Sequence, residues 1–295
     1  MPSFQDLRRR IRAVRNMQQV TRAMKMVSAA KLRRAQERVT AARPYAEKMA
    51  DVLGNLAHRV EEYTHPLLEQ RGDDHLLLVL ITADRGLCGA FNTNLIRAAQ
   101  DFLRQNADKR VELVTVGRRG RDFFRRRRVP IREAYTKITD RRVEFANAQE
   151  IAHRLIQDFC DPKQQIDRVF ILYSEFQSAM RQHVKLEQLL PLGGFADRPP
   201  ARSDALVEYI YEQSPAEIFG HLLPHYVETQ VYRALLESAA SEHGARMVAM
   251  DAATNNASEM INTLTLQLNR VRQASITKEI IEIVSGAAAL EEITS

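Results

Sequence analysis

The segment from Ser214 to Leu290 limits the folds open to this chain more than any other stretch. It reads as one helix, because Ser214 and Glu217 can form a capping box around Pro215, a residue favoured at the first helical position. Pro224 is the last proline of the chain. Such a helix would be roughly 115 Å long at 1.5 Å per residue. No single globular domain needs a helix of that length, so we expect it to reach beyond its own domain.

A second long helical pattern covers residues 4–58. Its apolar positions recur at steps of three and four along one face. They are Leu7, Ile11, Val14, Met17, Thr21 and Met24. Pro44 is expected to kink or break this helix. Because the two long helices bracket the middle of the chain, both can leave the same side of an inserted domain and bury their stripes against each other. The sequence therefore predicts a long antiparallel two-helix coiled coil.

The middle of the chain alternates short apolar runs with helical patterns. Strands are predicted at His75–Thr82, Val111–Val116, Ile131–Ile138, Asp167–Tyr173, Val184–Leu189 and Leu206–Tyr211. A helix capped by Asn92 or Thr93 follows the first strand, a basic helix follows the second, and another covers Ala146–Phe159. This rhythm is typical of a small α/β, Rossmann-like domain with a largely parallel sheet. The predicted domains are residues 1–65, 70–212 and 213–295.

Charge is divided unevenly along the chain, whose formal net charge is +6. Residues 1–48 carry 13 Lys and Arg against 3 Asp and Glu, whereas residues 201–295 carry 6 against 13. Opposite charges favour packing of the two ends side by side, and the basic segment keeps positive charge for an acidic partner. Cys88 and Cys160 form no paired motif, which favours a reducing compartment. The longest apolar run, Leu76–Ile81, is too short to span a bilayer.

The apolar stripe of the last helix changes face near its end. One stripe consists of Ala257, Ile261, Leu264, Leu268 and Val271. A second consists of Ile276, Ile280, Ile283, Val284, Ala287 and Leu290. At about 100° per residue the two stripes point in widely different directions, and coiled-coil drift is too small to explain the change. We therefore expect the helix end to be buried in something other than its partner helix, since a bare apolar end would aggregate.

Two glycine-containing loops follow predicted strands, where phosphates bind in α/β folds. Asp84–Asn92 lacks the G-x-G-x-x-G and G-K-[ST] patterns, and so does Gly117–Gly120. A structural turn is favoured over a nucleotide site at both places. Cys88 could be a nucleophile, but no histidine in a matching motif accompanies it, so a buried structural cysteine is the favoured interpretation.

One histidine pair has the spacing of metal ligands. Glu217, His221 and His225 share a helical face at i, i+4 and i+8, which could hold zinc. No fourth ligand is evident, so a solvated helix face is favoured. No paired carboxylates and no Ser/His/Asp arrangement stand out. We therefore expect no metal, no cofactor and no catalytic residues.

The most basic stretch is an arginine run next to Phe123 and Phe124. It consists of Arg118, Arg119, Arg121 and Arg125–Arg128. A basic coiled-coil protein that binds nucleic acid is therefore the alternative function. The run lacks a recognised reader motif, and a solvated helix face is the simpler interpretation. Salt-sensitive DNA binding that is lost when Arg125–Arg128 become alanine would support the alternative.

Three stretches resemble motifs of the gamma subunit of F-type ATP synthases. They are V-T-R-A-M-K-M-V-S-A-A-K-L-R-R-A-Q (Val20–Gln36), I-T-A-D-R-G-L-C-G-A-F-N (Ile81–Asn92), and A-T-N-N-A-S-E-M-I (Ala253–Ile261) followed by R-Q-A-S-I-T-K-E-I-I-E-I-V-S-G-A-A-A-L (Arg272–Leu290). They lie in order at both ends and in the centre, so the resemblance covers the whole chain. The arginine run Arg125–Arg128 is not among the motifs of that family.

The resemblance implies a non-catalytic rotor shaft that couples ion flow to ATP synthesis or hydrolysis. Its end would sit in a sleeve of alternating alpha and beta subunits. The α/β domain and the lower coiled coil would bind the epsilon subunit and the membrane ring of c subunits. The implied location is the cytoplasmic face of the bacterial inner membrane, as a peripheral protein. Nucleic acid is not an implied partner.

The resemblance also implies roles for single residues. Met24 and Lys25 would lie near an acidic loop of the beta subunits. Arg272, Gln273 and Thr277 would make polar contacts that transmit torque to beta. These three fall where the apolar stripe changes face. The regulatory cysteine pair of plant chloroplast members is not found in this sequence.

Overall fold

The computed structural model describes residues 3–57, 65–139, 142–193 and 215–294. Its helices are α1 (Phe4–Ala57), α2 (Phe91–Gln105), α3 (Arg118–Arg126), α4 (Phe145–Cys160) and α5 (Pro215–Thr294). Its strands are β1 (His75–Ile81), β2 (Arg110–Val116), β3 (Ile131–Tyr135), β4 (Arg168–Phe176) and β5 (Gln182–Leu190). Each predicted strand in these ranges is confirmed to within a few residues. The predicted strand Leu206–Tyr211 and the capping residue Ser214 lie outside the described residues.

The first helix continues through Pro44 without interruption, so the predicted break is wrong. The proline lacks one backbone donor and costs helix stability locally. It lies on the exposed side of α1. The following turns bury Ala46, Met49 and Leu53 on the opposite side, at steps of three and four. Burial of this apolar stripe offsets the lost hydrogen bond.

The five strands form one sheet in the order β3-β2-β1-β4-β5. The pairs β1–β2, β1–β4 and β2–β3 are parallel, whereas β4 and β5 are antiparallel. All seven residues of β1 are buried, because it lies in the centre of the sheet with layers on both faces. A strand buried on both faces reads as a continuous apolar run rather than an alternating one, which explains the H-L-L-L-V-L-I pattern.

Side chains of β1 alternate between two cores. Leu76, Leu78 and Leu80 face a layer that contains α2 and α3. Leu77 and Val79 face a layer formed by α4 and by parts of α1 and α5. The fold is therefore a three-layer α/β arrangement with a mostly parallel sheet, as the sequence predicts.

The chain divides into two compact units. The smaller unit comprises Met1–Val27 with Ala249–Ser295, and the larger comprises Ser28–Val248. The smaller unit contains the ends of the two long helices alone, and the larger one contains the sheet. The domain limits at residues 65, 70, 212 and 213 remain a prediction. In the described ranges, no helix has the length and apolar character needed to cross a membrane.

Candidate functional site

Three polar pairs connect α1 and α5 within the smaller unit. They are Gln18 Nε2 with Ser258 Oγ at 2.7 Å, the Thr21 and Thr254 hydroxyls at 2.8 Å, and Lys25 Nζ with Asp251 Oδ1 at 2.6 Å. In every pair the two residue numbers add to 275 or 276. The helix ends therefore run antiparallel in one register, which confirms the predicted orientation.

The stripes that face each other are close to those predicted. On α5, Ala257 is buried, and the remaining predicted positions Ile261, Leu264, Leu268 and Val271 are half-buried. On α1, Leu7 and Ile11 are buried. Met17 is a wrong prediction, since 61% of it is exposed. Gln18 takes its place, because steps of four and three from Val14 lead to Gln18 and Thr21.

The end of α5 extends past the start of its partner. In the observed register Arg272 lies opposite Phe4, the first residue of α1. We call residues 273–294 the tip. Its apolar side chains are exposed: Ile276 by 48%, Ile280 by 55%, Ile283 by 72% and Val284 by 62%. The side chains of the predicted tip residues Ala287 and Leu290 lie outside the described ones.

The predicted contact residues form two separate groups. Met24 and Lys25 lie within the helix pair, where the Lys25 and Asp251 side chains are 43% and 46% exposed. Arg272, Gln273 and Thr277 are exposed around the start of the tip. Because Lys25 faces Asp251, the two groups are separated by roughly 30 Å of helix at 1.5 Å per residue. They cannot form one site on this chain.

The loops after β1 and β2 are held together by their own backbone and side chains. Gly117 has φ +96°, and a Cβ there would lie 2.1 Å from the carbonyl oxygen of Thr82. At the start of α3, Arg118 N donates to Asp84 Oδ1, Arg119 N to Ala83 O and Gly120 N to Thr82 Oγ1. These N–H groups are the donors that a phosphate would need. The Gly117–Gly120 loop is thus a structural turn.

The Asp84–Asn92 loop is also fixed internally. The backbone N–H of Ala83 donates to Asn92 Oδ1 at 2.9 Å, and Asn92 Nδ2 lies 3.1 Å from Cys88 Sγ. Asn92 therefore ties the loop together and does not cap α2, whose N-cap is Ala90, so the capping prediction is wrong. Burial raises the pKa of the Cys88 thiol, and the Arg246 guanidinium opposes this only in part. A buried, protonated thiol is a poor nucleophile.

Helix α5 occupies the crevice where a sheet of this order binds nucleotides, outside the carboxyl ends of β1 and β4. Ser174 N donates to Ser238 Oγ at 3.2 Å, and Ser241 Oγ donates to Ser174 O at 3.0 Å. Phe176 N donates to Glu237 Oε2 at 2.9 Å. We call this group of bonds to β4 the polar clamp. The backbone groups at the end of β4 that would bind a ligand are therefore hydrogen-bonded to side chains of α5 instead.

His225 on α5 has partners other than a metal. His225 Nδ1 lies 2.9 Å from Glu228 Oε2, and His225 Nε2 lies 3.0 Å from the Tyr45 hydroxyl. His153 Nε2 lies 2.8 Å from the other oxygen of Glu228. Among the described residues, no group of three or more His, Cys, Asp or Glu side chains could hold a metal ion. The zinc interpretation of Glu217, His221 and His225 has no structural support.

Comparison with known proteins accounts for the paired helices and the sheet together. A family model described as ATP synthase matches residues 3–290. The chain belongs to the ATP synthase gamma chain family. Over 99% of this chain and the full length of each relative, the ATP synthase gamma chains of Solibacter usitatus and Moorella thermoacetica are 52% and 50% identical to it.

Solved structures share the fold. A chain from the Tetrahymena thermophila mitochondrial ATP synthase central stalk and c-ring matches with a TM-score of 0.60 and 28% identity, over 79% of this chain and 99% of that chain. A chain from the Euglena gracilis mitochondrial ATP synthase matches with a TM-score of 0.68 and 20% identity, over 97% and 94%. None of these comparisons supports the nucleic-acid alternative.

The polar clamp is not predicted by the helical periodicity of the sequence. Glu237, Ser238 and Ser241 are almost fully buried, at 3%, 1% and 0% exposure. Buried polar groups need partners, so three polar residues within a helix otherwise rich in Leu and Ala are a signal. Their partners lie on β4, more than sixty positions away, and helical periodicity contains no information about such contacts.

Proposed function

We propose that this chain is the central rotor shaft of an F-type ATP synthase. Ion flow through a membrane ring of c subunits turns the shaft. The rotation carries the surrounding beta subunits through their nucleotide-binding states. The chain contributes no catalytic residue, and its location is peripheral, on the cytoplasmic face of the bacterial inner membrane.

The exposed tip is the observation that carries this proposal. A helix that extends past its partner and leaves isoleucines 48–72% exposed needs an external apolar environment. A sleeve of alternating alpha and beta subunits provides one. The polar residues Arg272 and Gln273 stand at the entrance of that apolar segment, where a rotating shaft can push on a beta subunit.

The larger unit and the lower part of the helix pair are proposed to bind the epsilon subunit and the c ring. The similar Tetrahymena chain comes from a structure of a central stalk together with a c-ring, which supports this placement. The positive charge of residues 1–48 suits an acidic loop of beta near Met24 and Lys25.

Co-purification tests the assembly directly. A tagged chain expressed in its native cell should bring down alpha and beta subunits together with the c ring, and this should persist in detergent. Recovery of the tagged chain without alpha and beta would show that the proposal is wrong.

A double substitution tests the torque contacts. Arg272→Ala with Gln273→Ala should lower ATP synthesis severalfold in membrane vesicles while the complex still assembles, because contacts that transmit force are lost. The matched control is Asn269→Ala with Arg270→Ala, an exposed amide and guanidinium about one turn away on the same helix. Equal ATP synthesis in both variants would contradict the assigned roles.

A further inference from the structure

The larger unit has a concave surface next to its sheet. A cleft of about 680 Å³ opens at the carboxyl end of β1, between α2 and α3. We call it the arginine cleft. The residues that matter here are Arg85, Leu87, Ile96, Arg119, Phe123 and Arg126, all of which line it.

The cleft has surplus positive charge. Arg119 and Arg126 are exposed and lie seven residues apart, on one face of α3. In the described ranges neither guanidinium has an ion-pair partner. The two acidic residues of the lining are already engaged: Asp84 accepts from the backbone of Arg118 at 3.2 Å, and Asp122 pairs with Arg121 at 2.8 Å.

An exposed leucine stands at the mouth of the cleft. Leu87 is 64% exposed and has φ +62°, in the left-handed region that leucine rarely adopts. The loop around it is fixed by Asn92, which accepts from Ala83 and donates to Cys88. A strained conformation that the surroundings hold in place is commonly found at functional sites. Ile96 and Phe123, both half-buried, continue the apolar surface into the cleft.

We propose that the arginine cleft binds an acidic polypeptide segment. The segment inserts an apolar side chain beside Leu87 and Ile96 and places carboxylates against Arg119 and Arg126. Guanidinium groups bind carboxylates through paired hydrogen bonds, which gives such a contact direction as well as charge complementarity.

Other polyanions fit this surface less well. Stacking of a nucleic-acid base on Phe123 is hindered by two neighbours. The Arg127 guanidinium carbon lies 4.2 Å from the centroid of the Phe123 ring, and the Phe124 ring packs edge to face with it, with the two ring centroids 5.1 Å apart. A phosphate backbone would also leave Leu87 in water. A membrane surface is too broad to reach the floor of a concave cleft between two helices.

Binding of a designed peptide to the full-length chain tests the proposal. The probe is a fluorescein-labelled peptide of about twelve residues, with one leucine flanked by glutamates on both sides, followed by fluorescence anisotropy. It should bind saturably, and Arg119→Ala with Arg126→Ala should weaken binding about tenfold or more. The matched control, Arg125→Ala with Arg128→Ala, removes the same charge outside the cleft lining and should change binding less than about threefold.

A second variant separates binding from folding. Leu87→Gly should weaken peptide binding without lowering the melting temperature, because glycine adopts the positive φ of this position without strain. No saturable binding, equal weakening by the two arginine pairs, or unchanged binding by the Leu87→Gly chain would each overturn the proposal. So would tighter, Arg119-dependent binding of a single-stranded oligonucleotide or of vesicles that contain anionic lipid.

Discussion

Gly117 brings the end of β1 and the start of α3 into direct contact. Its positive φ and the 2.1 Å distance that would separate an added Cβ from the Thr82 carbonyl oxygen leave no space for a side chain. Gly86 is different, since a Cβ there would meet only the guanidinium group of Arg119, whose Nη2 is the nearest atom at 2.5 Å. The flexible end of an arginine can move away, whereas the backbone of a central strand cannot.

We therefore expect Gly117→Ala to lower the free energy of unfolding by about 3 kcal/mol, since backbone strain and overpacking add. Gly86→Ala is the matched control and should cost about 1 kcal/mol or less. Urea denaturation of the purified chain measures both. Similar losses in the two variants would contradict the close approach at Thr82.

Lys25 has a partner on its own chain and a proposed one on another. Because the side chains of Lys25 and Asp251 are 43% and 46% exposed, their ion pair contributes only about 0–1 kcal/mol. Lys25→Ala and Asp251→Asn should thus leave the melting temperature within a few degrees of the parent. ATP synthesis should fall for Lys25→Ala alone, since Asp251→Asn leaves the lysine available to a beta subunit. Equal activity of the two variants would remove the proposed contact.

At the scale of single elements, α5 has different surroundings along its length. In the larger unit it is packed on the sheet and joined to β4 by the polar clamp. In the smaller unit it is paired with α1 through one stripe. In the larger unit Glu237 links α5 to both β4 and α1, since it accepts from Phe176 N at 2.9 Å and from Arg43 Nε at 2.9 Å.

We expect Glu237→Ala to cost about 2–3 kcal/mol, because it leaves the buried N–H of Phe176 without an acceptor. Glu237→Gln should cost less, since its amide oxygen can still accept that hydrogen bond. Thermal denaturation followed by circular dichroism compares the two variants. If glutamine is as damaging as alanine, the charge and not the acceptor is what matters there.

The sequence predicted the elements of this fold better than the contacts between them. Periodicity located both long helices, and the continuous apolar run of His75–Ile81 identified the central strand. Periodicity could not decide whether Met17 or Gln18 belongs to the buried stripe of α1, because both lie near its edge. The apolar side chain of Met17 suggested the wrong residue. The capping role of Asn92 was mispredicted because its amide is engaged by Ala83, a contact across a loop.

The candidate site was predicted only in part, for a similar reason. The face change after Val271 is visible in the spacing, and the exposure of Ile276 and Ile280 agrees with it. The position of α5 at the crevice outside the carboxyl ends of β1 and β4 was not predictable. It depends on how the inserted α/β domain packs against the helix, and the composition of that domain does not determine this packing. Residue roles toward partner subunits depend on surfaces that this chain does not contain.

At the scale of the whole molecule, the tip should govern solubility. Exposed isoleucines promote self-association, so the isolated chain should form concentration-dependent aggregates. Ile280→Glu with Ile283→Glu should suppress them without lowering the melting temperature, and should weaken assembly with alpha and beta. Ser275→Glu with Ser285→Glu adds the same charge at exposed polar positions of the tip. Light scattering of both variants measures the difference, and equal suppression would point to net charge alone.

The polar clamp has a mechanical consequence. Apolar side chains can slide past one another with little change in energy, but hydrogen bonds are directional. Turning α5 about its own axis by one residue, about 100°, would remove Glu237, Ser238 and Ser241 from their partners on β4 at the same time. The junction between α5 and the sheet therefore resists slippage when a torque acts about the helix axis.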